Sequence, residues 1–117
     1  MNQQQAKNLK TLRATLLALP PREAAEFNIH RCDKCAWGIV LAKQVVFQNE
    51  TFKDFDDSPA FFGHAGEGED YGADETDYLF QDNADNPWRY DSPTGRAGIE
   101  EFANRVENVL QFYGHGA

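Results

Sequence analysis

Between Ser92 and Gly114 the apolar residues Ile99, Phe102, Ala103, Val106, Val109, Leu110 and Tyr113 recur at three- and four-residue steps, which places them on one side of a helix. Ser92 is a competent N-cap with Pro93 at the first helical position. Glu101 and Arg105 form a four-apart ion pair, and Gly114 sits where a helix stops. The spacing predicts a helix over about 93–113. A continuous apolar stripe of that length is unfavourable in water unless other elements cover it. The chain therefore has to fold as packed layers in which this helix is a main wall of the core.

Two further segments are suited to cover it. Leu9, Leu12, Leu16 and Leu19 follow the same periodicity, with Lys7 and Thr11 on the opposite side, so a helix is expected over about 4–19, closed by Pro20-Pro21. A second helix is expected over about 34–43, with Asp33 as its N-cap and Cys35, Ala36, Ile39, Val40 and Ala42 facing inward. Phe27 to Arg31 alternates apolar and polar residues, as a short strand or an extended linker does. Val45-Val46-Phe47 either continues the preceding helix or begins an extended piece.

From Glu50 to about Ala73 there is no periodicity. Ser58-Pro59, Gly63, Gly66, Gly68, Gly72 and many acids mark an irregular segment, and loops of such length are usually functional or mobile. Phe52, Phe55, Phe61 and Phe62 are expected to dock its first half on the core. Glu75 to Phe80 reads as a short helical turn, and Asp82 to Asp91, which contains Pro87, reads as a loop. The fold class is mainly α: a small single-domain helical bundle over 1–117, with a long irregular acidic region at 50–91 and at most one short extended segment.

A chain of 117 residues with 41% apolar residues, nine of them Phe, can bury a core without cross-links. Its two cysteines, Cys32 and Cys35, would close only a tiny loop and so remove little unfolded-state entropy. Apolar runs such as Ile39 to Ala42 are far too short to span a bilayer, and Met1 to Lys7 is polar. The expected location is the cytoplasm of a host cell.

Charge is distributed unevenly. Residues 1–49 hold seven Lys or Arg against three acids, residues 50–85 hold twelve acids against Lys53 alone, and residues 86–117 hold three Arg against four acids. The middle segment thus carries -11 in a chain of net charge -8. Direct binding of nucleic acid is disfavoured, because phosphates must be neutralised by cations. The complementary reading is a surface whose carboxylates occupy a basic groove in place of phosphates. The alternative is a solvated face that maintains solubility.

Cys32-Asp33-Lys34-Cys35, preceded by His30, is the one constellation that resembles a chemical motif. A two-residue spacer lets one turn supply two thiolates to zinc, but a structural site needs four ligands, and His64 and His115 lie far away in sequence. A redox dithiol needs a βαβ context that is not visible here. The preferred reading is Cys35 as a small packing residue. Ser58 and Ser92 both precede proline, a position suited to caps and turns, and no G-x-S-x-G elbow occurs. The glycines at 63–72 are accompanied by Glu67, Glu69 and Asp70, which would repel phosphate, and no ordered calcium loop of alternating carboxylates is present. A paired-carboxylate glycosidase would need a sugar cleft, for which a chain this short leaves little room.

Cys35-Ala36-Trp37-Gly38-Ile39-Val40, then Tyr78-Leu79-Phe80, Asp91-Ser92-Pro93 and the terminal amphipathic helix, is similar to a family of small uncharacterised phage and bacterial proteins. Members share a Cys-x(2-4)-Cys-[Ala/Ile]-x-Gly helix start and a Ser-Pro or Thr-Pro cap before the last helix. The likeness follows the order of elements over most of the chain. Cys32 and Cys35 are separated by two residues where the family usually has four, and Asp33-Lys34 replaces a Gly-Thr turn. The resemblance implies a phage or mobile-element setting, in which small acidic proteins often bind host machinery, and it implies nothing about catalysis.

The expected function is a non-enzymatic binding module or inhibitor without a cofactor. It presents Asp54, Asp56, Asp57, Glu67, Glu69, Asp70, Asp74, Glu75 and Asp77 to a basic host or phage protein, one that itself binds nucleic acid in the sharpest version of this reading. Two alternatives stand beside it: a small zinc- or thiol-dependent protein centred on His30, Cys32 and Cys35, and a structural, oligomeric phage component.

Overall fold

The computed structural model describes residues 2–31, 33–53, 61, 62, 79 and 92–115. Helix α1 spans Gln3–Leu17. It opens on a capping box in which Asn2 Oδ1 accepts from the Gln5 amide at 2.8 Å and Gln5 Oε1 accepts from the Asn2 amide at 2.9 Å. Two otherwise orphaned donors are thereby satisfied. Ala6, Leu9, Leu12 and Leu16 are buried along one face, while Lys7 and Lys10 are exposed. The expected run to residue 19 ends earlier, at Leu17 with Ala18 as C-cap. Leu19 still reaches the core from beyond the helix.

The longest helix spans Gly95–Phe112 and is designated α4 here, following the shorter α2 (Pro21–Ala24) and α3 (Ala36–Lys43). It buries Ile99, Phe102, Ala103, Val106, Val109 and Leu110, the stripe expected from its spacing, each large side chain contributing roughly 1.5–3 kcal/mol. Tyr113 departs from that expectation: it is the C-cap residue and 37% exposed. Helices α1 and α4 run antiparallel and are tied together by two arginines. Arg13 Nε on α1 donates to the Ala103 carbonyl at 3.2 Å, and Arg96 on α4 donates from Nη1 to Leu17 O at 3.1 Å and from Nη2 to Leu19 O at 3.3 Å. Carbonyls at the end of α1 that lack intrahelical partners are thus capped from the other helix.

The start of α4 differs from the proposed Ser92 cap. Thr94 is the N-cap and Gly95 the first residue, with φ +64. The cause is the segment after α2, whose Phe27 carbonyl accepts from the Gly95 amide at 2.8 Å and so fixes where the helix begins. The Phe27 ring lies over Gly98, where a Cβ would come within 2.6 Å of Pro93 O and 2.9 Å of Phe27 Cδ1. Gly114 does terminate the helix: at φ +78 it donates to Gln111 O, and His115 donates to Leu110 O, the paired bonds of a Schellman motif.

Pro21 is the first residue of α2. The segment 27–31 forms no strand, and residues 29–31 turn back on themselves. Asn28 Oδ1 accepts from the His30 amide at 2.9 Å, an Asx turn, and the Asn28 amide donates to Lys34 O at 3.0 Å, closing the loop. This local bonding overrides the alternating pattern. Helix α3 takes Cys35, not Asp33, as its N-cap, and Asp33 lies in the preceding turn paired with Arg31. Ala36, Ile39 and Val40 are buried as expected, but Ala42 is exposed.

Gln44, left-handed at φ 52, closes α3 through a second Schellman pair, with Gln44 N to Leu41 O and Val45 N to Val40 O. Strand β1 (Val46–Phe47) then pairs antiparallel with β2 (Glu50–Thr51), Val46 opposite Thr51 and Phe47 opposite Glu50. The two-residue connection has φ 52 at Gln48 and φ 80 at Asn49, the signs of a type I′ turn. Phe47 and Phe52 each pack against Phe61 and Phe62, which also touch one another, the ring centroids lying 5.3–5.9 Å apart. These contacts and the buried Leu79 carry the docking expected of the Phe-rich stretch, while Phe55 lies outside the described residues. The chain is a small, mainly helical domain with a single two-stranded sheet among its described residues.

Candidate functional site

Asp54, Asp56, Asp57, Glu67, Glu69, Asp70, Asp74, Glu75 and Asp77 lie outside the described residues. The structure does describe what flanks them. Glu50 is exposed on β2 and Lys53 is exposed just after it, whereas Phe52, Phe62 and Leu79 are fixed in the core. In sequence, the nine acids fall between these apolar anchors.

Of the cysteine constellation, Cys35 is only 4% exposed and is placed at the N-terminus of α3 by the 28–34 turn. His30 is exposed on that turn, and Cys32 lies outside the described residues. Burial among apolar neighbours fits Cys35 as a packing residue. Among the described residues no three His, Cys, Asp or Glu side chains gather in an arrangement able to hold a metal ion.

The charges of the helical body are largely matched to one another. Lys43 Nζ meets Glu23 at 2.6 Å and Lys34 Nζ meets Glu26 at 3.2 Å. Arg31 meets Asp33 at 3.4 Å, Arg105 meets Glu101 at 3.0 Å, and Arg13 approaches Glu107 at 3.9 Å. The first two pairs line a small cleft of about 90 Å³ whose apolar surface comes from Leu19, Ile39 and Ala42. Ligand pockets are typically several times larger, about 300–1,000 Å³. Such exposed pairs contribute about 0–1 kcal/mol each to stability. Their consequence for the site is that five cations of the body already face carboxylates of the body.

Four structural residues were not singled out in sequence. Gln5 and Asn8 are buried polar side chains on the apolar side of α1. Asn8 Nδ2 donates to Phe61 O at 2.9 Å and Asn8 Oδ1 accepts from Gln4 at 3.0 Å, which ties the Phe-rich stretch to α1. Asn2 followed three residues later by Gln5 was a readable capping-box signal for Gln5. For Asn8, Arg13 and Arg96 the partners are 53 to 90 residues away, and no local pattern announces them.

No helix among the described residues is long and apolar enough to cross a membrane. Comparison with protein-family models, with curated proteins and with solved structures gives no match.

Proposed function

We propose that this chain is a non-enzymatic binding module in which the helical body carries the acidic 50–85 region to a basic partner protein. The observation that carries this reading is the partition of charge. Of eleven Lys and Arg, five face acids of the body and Arg96 is turned onto backbone carbonyls. Five cations remain against the twelve acids of residues 50–85, so this region carries an excess of formal negative charge. A basic surface supplies the missing counter-charge, and its association is steered by the long-range field of the acids. A groove that normally receives nucleic acid offers this complement, so occupancy by carboxylates inhibits it. The resemblance to small phage and bacterial proteins suggests a host or phage protein as that partner.

The test uses the full chain and an immobilised basic nucleic-acid-binding domain or poly-lysine. Binding is expected to weaken at least about tenfold between 50 and 200 mM salt, as phosphate-like charge neutralisation does. It is expected to be lost when Asp54, Asp56, Asp57, Glu67, Glu69, Asp70, Asp74, Glu75 and Asp77 are changed to Asn or Gln, with circular dichroism confirming the fold. Binding that persists unchanged at high salt or in the neutralised variant, or that never occurs, overturns the proposal.

A further inference from the structure

We draw no further inference here: the strongest candidate, the small cleft between α2 and α3 lined by Glu23, Glu26, Lys34 and Lys43 over Leu19 and Ile39, holds carboxylates already matched by its own lysines, and nothing in the structure shows what covers it.

Discussion

Gly98 shows how one residue can look unfavourable alone and be required in place. Within a helix, glycine is destabilising by about 1 kcal/mol relative to alanine, so sequence considerations favour replacing it. Here the missing Cβ makes room for the Phe27 ring and the Pro93 carbonyl, and the latter is backbone that cannot rotate away. Gly98→Ala is expected to destabilise the domain by about 1–3 kcal/mol, the range for overpacking, read as a lower urea midpoint. An unchanged or higher midpoint would show that the segment 25–27 is not pressed onto α4. Gly98 and Phe27 are 71 positions apart, so the reason for the glycine belongs to tertiary contact and not to any local signal. Cys35 is the opposite case. Its inward position followed from the period of Ala36, Ile39 and Val40, and it is buried.

At the scale of elements, legibility followed the strength of the local signal. The stripes of α1 and α4 were readable because burying many apolar residues at one period outweighs any detail of the ends. The ends themselves shifted by up to two residues, as Thr94 replaced Ser92 and Cys35 replaced Asp33 as caps under the pull of neighbouring turns. The hairpin was the least legible element. Its turn uses Gln48-Asn49 where Asn-Gly is the usual type I′ pair, so the strongest short-range hairpin cue is missing. The double change Gln48→Asn with Asn49→Gly is therefore expected to stabilise the domain by about 0.5–1 kcal/mol by relieving left-handed strain. Thermal unfolding measures this, and a fall in Tm contradicts the assigned turn. Arg96→Met keeps the aliphatic stem but removes both bonds to Leu17 O and Leu19 O. Because the group is partly exposed, the expected loss is modest, about 1 kcal/mol, with faster amide exchange in the last turn of α1. No change in exchange there would mean that water replaces the guanidinium without cost.

For the molecule as a whole, the mainly α class was set by two amphipathic helices whose apolar stripes need cover, and that much was present in the periodicity. The candidate site was legible as charge and as nothing finer. Acids in a segment without period carry no register, so their sequence gives their number and spacing but no common face. The pairing of α1 with α4 joins Arg13 to a carbonyl 90 residues away and Arg96 to one 77 residues away. Truncation after Asp91 is expected to abolish cooperative unfolding and most helical circular dichroism, because α1 alone is near the length at which isolated helices are marginal in water. A cooperative transition in the truncated chain would show that α4 is dispensable.

The clasp between the first and last helices also bears on how the chain is made. Synthesis proceeds from the N-terminal side, so the leucine row of α1 leaves the ribosome long before the last helix that shields it. Until the final helix emerges, those leucines lack their main cover, and the nascent chain is expected to be more prone to clumping than the finished one.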